Sequence, residues 1–307
     1  MKVIITGGSG LLGRGLTANL AADGHEVIIL SRTPGQVRGL PPGARAVGWD
    51  AESARGWGHQ AEGAAAIVNL AGYPLDGPGF LPSRWTARRK KVIRDSRLRA
   101  GTAVVDAVQQ AEKKPGVVLQ SSAVGYYGPR GDERLDESAA AGDDFLAQVC
   151  VDWEASTAAI EAEDVPRAVL RTGLPLTEDG GAFPLLKLPF TLFAGGPFGD
   201  GQQYYSWLHY GDHIRAMRFL IDARADGAYN LTAPNPVTNR EFGQTLGRVM
   251  RRPAWLPAPA FAMKLALGEV ATVVLDGQRV LPQRLLDSGF HFEYPELEPA
   301  LREVLGK

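Results

Sequence analysis

The stretch that most restricts how this chain can fold stands at its start, VIITGGSGLLGRGL over residues 3–16. A β-branched run ends at Thr6, glycines follow at 7, 8, 10 and 13, and an apolar helical pattern begins at Leu11. Glycines after a strand let the backbone turn tightly and approach a pyrophosphate, and Gly13 lets the new helix pack close on the strand it left. The start of that helix offers free N–H groups and the positive end of its dipole to an anion. A phosphate cradle is therefore expected from Gly7, Ser9, Gly10, Leu11, Leu12 and Gly13. The bland alternative is a glycine turn with no ligand; a strand before and a helix after favour the dinucleotide reading.

The rest of the first half repeats the same rhythm. Buried strands are expected at Val3–Thr6, Glu26–Ser31, Ala65–Asn69, Gly116–Ser121 and Ala168–Arg171, with helices at 11–23, 84–112 and 144–163 between them. Alternation of this kind predicts an α/β fold, a doubly wound parallel sheet with helices on both faces. From about residue 175 the texture turns to Gly, Pro and aromatic residues, GGAFPLLKLPFTLFAGGPFGDGQQYYSW, which predicts a loop-rich lobe. Residues 209–231 again read as helix then strand and are expected to return to the first sheet. Helices are predicted at 238–250, near 260–287 and at 296–305. The expected division is a dinucleotide-binding domain over 1–175, joined by 209–232, and a smaller mixed lobe from 176–208 and 233–307.

The second strand ends IILSRT, with no acid to hold the adenosine ribose hydroxyls. Ser31 and Arg32 stand there instead, and an arginine grips a 2′-phosphate through charge-assisted bonds. NADP(H) is thus expected over NAD(H), the alternative being that Arg32 is a solvated loop arginine. Asp50 in GWD is placed to accept from the adenine amino group. The strand AIVNLAG ends with Asn69, Leu70, Ala71 and Gly72, and small residues there let the backbone pass beside the cofactor's ribose and phosphates. The next helix holds eight basic residues between Arg84 and Arg99 and one acid, Asp95. Most are expected on a solvated face, with Arg97 turned inward to the cofactor. No second basic patch supports nucleic-acid binding, and a net charge of −1 gives no pull toward polyanions. The longest apolar runs fall short of a membrane span, and one cysteine fits a reducing compartment, so a cytoplasmic location without membrane contact is expected.

Taken together, TGGSGLLG, NLAG, SSAVGYYG, LRTG and SWLHYGDHIRAM occur in an order that resembles the extended short-chain dehydrogenase/reductases. RWTARRK, GDDFLAQVCVDWE and the tail LDGQRVLPQRLLDSGFHFEYPELEPAL resemble more narrowly the atypical SDR39U1-like epimerase family, with its own C-terminal domain. The resemblance implies a Rossmann domain binding NADP(H), a small substrate lobe and a cleft between them. It further implies cofactor contacts from Ser121 and Leu174.

In extended members a Ser or Thr, a Tyr and a Lys carry the proton transfer. The resemblance places Ala123, Leu146 and Cys150 at those three positions, and none of these does acid–base work as that set does. Ser122 is adjacent to Ala123, but on a strand its side chain faces the other way. Tyr126 and Tyr127 follow the same strand and are candidate proton donors, or else packing aromatics. Cys150 is a possible nucleophile, though a lone cysteine is more often a small buried hydrophobe. His209 and His213 with Asp212 have a spacing that fits a metal, or else Asp212 caps a helix there. Gln203, Tyr204, Tyr205 and Trp207 suit either a ligand pocket or a lobe core. Two functions follow: an NADP(H)-dependent oxidoreductase or epimerase-like enzyme acting on a small molecule, or a non-catalytic NADP(H)-binding sensor.

Overall fold

The computed structural model describes residues 1–75, 77 and 83–307. Along the chain it forms β1 (Lys2–Thr6), α1 (Leu11–Ala22), β2 (Glu26–Ser31), β3 (Ala44–Gly48), β4 (Ala66–Asn69), α2 (Ala87–Gln110), β5 (Val118–Ala123), β6 (Arg134–Leu135), α3 (Phe145–Ala155) and β7 (Arg167–Thr172). Then come β8 (Leu174–Leu176), α4 (Phe183–Thr191), β9 (Tyr204–Tyr205), β10 (Trp207–His209), α5 (Tyr210–Asp222), β11 (Gly227–Leu231), β12 (Val237–Thr238) and α6 (Asn239–Met250). The C-terminal segment adds α7 (Ala260–Leu267), α8 (Thr272–Leu275), β13 (Arg279–Val280), α9 (Gln283–Asp287) and α10 (Leu297–Val304).

Seven strands make one parallel sheet in the order β11-β7-β5-β4-β1-β2-β3. The chain winds outward from β1 through β2 to β3, then crosses back to β4 on the other side of β1. The C-terminal end of β1 is therefore the switch point, where open α/β sheets bind ligands. Successive side chains of β1 go to opposite faces. Val3 and Ile5 join Leu16, Leu20 and Met217 in the layer under α1 and α5. Ile4 joins Ile28, Ile67, Ala103 and Val104 under α2. Both faces are covered, which is why the strands read as continuous apolar runs.

Helix α2 shows how the site is placed. Its buried stripe runs Ile93, Arg97, Ala100, Val104 and Val108, the helical spacing of a core face. An arginine thus occupies a position the periodicity would give to an apolar residue. Thr86 caps the helix by accepting from the Arg89 N–H at 3.2 Å.

The structure departs from the sequence expectation in several places, among them the strand β13 inside the stretch expected as helices near 260–287. The stretch expected as loop-rich contains α4, nine residues long. Pro184 sits in its first turn, where a missing N–H costs nothing, and Pro189 near its end removes one bond without stopping the helix. The helix expected over 144–163 stops at Ala155, and a 3-10 turn over Ala158–Glu163 follows. Asp212 does not cap α5; His209 does, its Nδ1 accepting from the Gly211 N–H at 3.2 Å. Asp212 is fully buried and instead accepts from the backbone N–H groups of Glu293 and Tyr294.

Candidate functional site

The glycine loop has the geometry its sequence predicts. Gly7 has φ of +65°, and a Cβ there would lie 3.0 Å from the Leu70 carbonyl carbon. A Cβ on Gly13 would stand 2.5 Å from the Gly7 oxygen and the Gly8 Cα, so the start of α1 sits directly on the loop. The N-cap of α1 is Gly10, and no side chain caps it. The N–H groups of its first turn are left for an external acceptor. An uncapped helix start over a cradle that a side chain would fill is what a bound pyrophosphate requires, so the residues present fit a dinucleotide.

A buried chain of bonds fixes the strand ends around this loop. Thr6 Oγ1 donates to Asn69 Oδ1 at 2.6 Å and accepts from the Leu70 and Ala71 N–H groups at 3.1 Å each. Asn69 in turn donates to Gln120 Oε1 at 2.8 Å. The tips of β1, β4 and β5 are thereby locked in register beside the cleft.

Two connected chambers open from this edge. The outer one, about 690 Å³, is lined by Gly7, Gly10, Leu11, Leu12, Gly13 and Leu70, and by Arg97, Ser121 and Ala123 further in. The inner one, about 300 Å³, takes Ala123, Leu146, Cys150 and Leu174 from the Rossmann side and Tyr204, Tyr205 and Asp276 from the later segments. Arg97, Ala123 and Trp153 line both. Ser9 lies exposed at the loop tip, and Ser31 is buried with its Oγ accepting from the Thr33 N–H at 3.2 Å. Arg32 is exposed at the end of β2, and Ala71 and Gly72 follow β4. A Cβ on Gly72 would meet the Arg97 guanidinium carbon at 3.1 Å, so the small residue leaves room for that side chain. Asp50 is engaged locally: its carboxylate accepts from the N–H groups of Glu52 and Ser53 and from the Ser53 hydroxyl, which hold its pKa down at about 2. Its oxygens serve the loop first, and an adenine amino group would have to share them.

Arg97 is the cation of the cleft. Its Nη1 donates to the Tyr73 and Ile93 carbonyls at 3.0 and 2.9 Å, and the guanidinium lies over the Trp153 ring at 4.6 Å. Burial lowers its pKa to about 10, and no carboxylate faces it among the described residues. Several of its neighbours on α2 are committed elsewhere: Lys90 to Glu269, Lys91 to Asp95 and Arg94 to Asp152.

The expected proton donors do not reach the chambers. A 3-10 turn over Val124–Tyr127 swings both tyrosines away from the cleft. Tyr127 is fully buried; its hydroxyl donates to Asn230 Oδ1 at 2.7 Å and accepts from Arg171 Nη1 at 3.0 Å. Burial pushes its pKa up to about 12. Tyr126 lies edge-on to Tyr127, with the Arg171 guanidinium 3.5 Å over its ring. Neither lines either chamber. Ser122 donates to Glu154 Oε1 at 2.6 Å and also lines the outer chamber. Cys150 does line the inner chamber, but burial pushes its thiol up to about 11, far from a nucleophilic thiolate.

The other candidates separate as well. Trp207 is core, its Nε1 donating to the Asn235 carbonyl at 3.1 Å. Gln203 donates to the Phe198 and Val274 carbonyls, while Tyr204 and Tyr205 reach the inner chamber. His209 pairs with Glu303 at 2.7 Å, whereas both ring nitrogens of His213 are buried without partners among the described residues. Among the described residues no three His, Cys, Asp or Glu side chains converge as metal ligands. Sequence reasoning did not single out Asp276 or Trp153 for the site. Trp153 follows from its place one turn after Cys150 on α3; nothing local marks Asp276.

A sequence model described as NAD(P)H-binding matches residues 7–190, and a domain of unknown function, DUF1731, matches residues 258–304. The chain is 41% identical over 308 residues to the Arabidopsis thaliana epimerase family protein SDR39U1 homolog, chloroplastic, covering 99% of this chain and 87% of that protein. It is 38% identical over 307 residues to the Bacillus subtilis epimerase family protein YfhF, covering 99% and 98%. The crystal structure of human epimerase family protein SDR39U1 (isoform 2) with NADPH matches with a TM-score of 0.89 at 34% identity, over 100% of both chains.

Proposed function

The chain belongs to the SDR39U1-like epimerase family of NAD(P)H-binding, extended short-chain dehydrogenase/reductase proteins, and from that premise we propose that it is an NADP(H)-dependent oxidoreductase or epimerase-like enzyme. Its substrate is a small molecule held in the inner chamber. Residues 1–175 with 209–232 hold the cofactor, and 176–208 with 233–307 form the substrate lobe. The human relative crystallised with NADPH supports the cofactor, as does the basic tip of β2. The buried Cys150 thiol suits a reducing compartment such as the cytoplasm; among the described residues no helix is long and apolar enough to cross a membrane.

The observation that carries the enzymatic reading is the second chamber. A protein that only sensed NADP(H) would need the outer cleft; it would have no use for a cavity beyond it that shares Arg97, Ala123 and Trp153 with the cofactor space. Within this reading Gly7, Gly10 and the first turn of α1 bind the pyrophosphate, Arg32 binds the 2′-phosphate, and Arg97 orients the inner half of the cofactor. When bound, NADP(H) supplies or accepts a hydride. Leu146, Cys150 and Val149 exclude water from the position where that exchange takes place. Positioned acid–base groups are typically worth about 10²–10⁴ in rate, so a site lacking the usual pair runs slowly.

The sensor reading has this in its favour: by the family resemblance Ala123, Leu146 and Cys150 stand at the usual proton-transfer positions, and Tyr126 and Tyr127 line neither chamber. Deuterium transfer separates the two. The full chain is incubated with 4-deuterated NADPH and 1-naphthaldehyde, and the alcohol is analysed by mass spectrometry. Stereospecific deuterium incorporation above the protein-free rate is the enzymatic result. Tight NADPH binding with no transfer to this or other apolar carbonyl compounds leaves the sensor.

A further inference from the structure

With the outer chamber read as the NADP(H) site, on which this inference rests, the inner chamber is left for the second molecule. Most of its wall is apolar, including Val124, Leu146, Val149, Leu174, Leu186 and Val274. Three ionisable residues line it: Arg97, Asp144 and Asp276. Arg97 lines both chambers, and its Nη1 is already engaged by the Tyr73 and Ile93 carbonyls. Asp144 is the N-cap of α3, one oxygen accepting from the Ala147 N–H at 2.8 Å.

Asp276 differs from both. The chain on either side of it is pinned. The Val274 carbonyl accepts from Gln203 Nε2 at 2.9 Å and from the Tyr205 hydroxyl at 3.2 Å. Gly277 lies so close on β9 that a Cβ would stand 2.3 Å from the Tyr204 oxygen. The Gln278 carbonyl accepts from Ser206 Oγ at 2.6 Å. The half-buried Asp276 carboxyl nevertheless accepts no hydrogen bond among the described residues. Burial holds its pKa above the ordinary carboxylate value; Lys264 opposes this and Asp144 adds to it.

A rigidly held, half-buried carboxyl in an apolar wall, with no hydrogen-bond donor among the described residues, favours a ligand that donates to it. A donor or cation satisfies it. An anion meets two carboxylates across a medium that screens poorly. A diphosphate calls for a clamp of arginines or lysines, and among the described residues Arg97 is the one such side chain on this wall. The volume, about 300 Å³, lies at the small end for ligand cavities. We propose that the inner chamber binds a compact, largely apolar molecule that presents an ammonium or hydroxyl group to Asp276, and that it rejects nucleoside-diphosphate sugars.

Calorimetric titration of the full chain tests this with four probes: 1-naphthylmethylamine, 1-naphthylmethanol, 1-naphthoate and UDP-glucose, each with and without saturating NADPH. The amine and the alcohol bind, naphthoate binds at least about tenfold more weakly than the amine, and UDP-glucose gives no binding to the NADPH-loaded protein. In Asp276→Asn the amine loses about tenfold while the alcohol stays within about threefold, and an unchanged NADPH affinity shows that the variant is folded. The proposal is overturned if naphthoate or UDP-glucose binds as tightly as the amine, if the amine preference survives Asp276→Asn, or if no naphthyl probe binds while NADPH does. Failure of NADPH itself to bind overturns the reading of the outer chamber, and the probe order in the cofactor-free protein then decides the inner one.

Discussion

Arg171 on β7 clasps Glu154 on α3 through two bonds, Nε to Oε1 and Nη2 to Oε2, each 3.0 Å, beside β5, the strand that carries Ala123. Both side chains are nearly buried, and Ser122 donates to the same carboxylate. The pair ties α3 to the sheet and holds Leu146 and Cys150 against the inner chamber. Glu154→Ala leaves a buried guanidinium without its anion, and is expected to cost about 3–5 kcal/mol. Urea unfolding reads this as a lower midpoint at an unchanged slope.

Tyr127 belongs to the same network, so its removal is predicted to affect stability and not chemistry. Tyr127→Phe strands the Asn230 oxygen and one Arg171 donor, at a cost of about 1–3 kcal/mol. NADPH affinity and any deuterium transfer stay at the wild-type level. A loss of transfer with stability unchanged would return Tyr127 to the site.

Gly13 is a position where a single methyl group has no room. Gly13→Ala drives a Cβ to 2.5 Å from the Gly7 oxygen and the Gly8 Cα. The backbone must part, lowering stability by about 1–3 kcal/mol and opening the pyrophosphate cradle. Thermal unfolding and NADPH titration together are expected to show both losses, whereas Gly35→Ala, with nothing within 4 Å of the new Cβ, shows neither.

His213 gives the fold a pH dependence. It is buried with both ring nitrogens unpartnered among the described residues, and burial lowers its pKa from 6.5 to about 3. Between these values the unfolded chain takes up a proton that the folded one refuses, so stability rises with pH in that window. The contribution is intact above about pH 6.5 and is lost as pH falls toward 3. From pH 7 to pH 5 this residue is predicted to remove about 1–2 kcal/mol, and His213→Leu flattens the stability profile over that range.

The cofactor half of the molecule was legible because its signals are local. Thr6, the glycines through Gly13 and the stripe of α1 lie within one short stretch, and β-branched runs mark the strands on both sides. Helix α4 was hidden because a proline in a first turn and one near the last turn leave a helix standing. The direction of Tyr127 was hidden because strand alternation stops at Ala123 and a 3-10 turn follows. Asp276 was illegible for a different reason: it enters the chamber only because Gly277 and Gln278 are fastened to Tyr204 and Ser206, distant in sequence. The placement of Ala123, Leu146 and Cys150 at the usual proton-transfer positions rests on the family resemblance of the sequence.

The central claim is that the outer chamber holds NADP(H), selected by Arg32. Fluorescence titration of NADPH and NADH into the wild-type chain and Arg32→Ala tests it most directly. The wild type is expected to prefer NADPH by at least about tenfold, and Arg32→Ala to lose most of that preference with its NADH affinity unchanged, a shift of about 1.4 kcal/mol or more. Equal affinities for the two cofactors in the wild type, or an undiminished NADPH preference in Arg32→Ala, would contradict it.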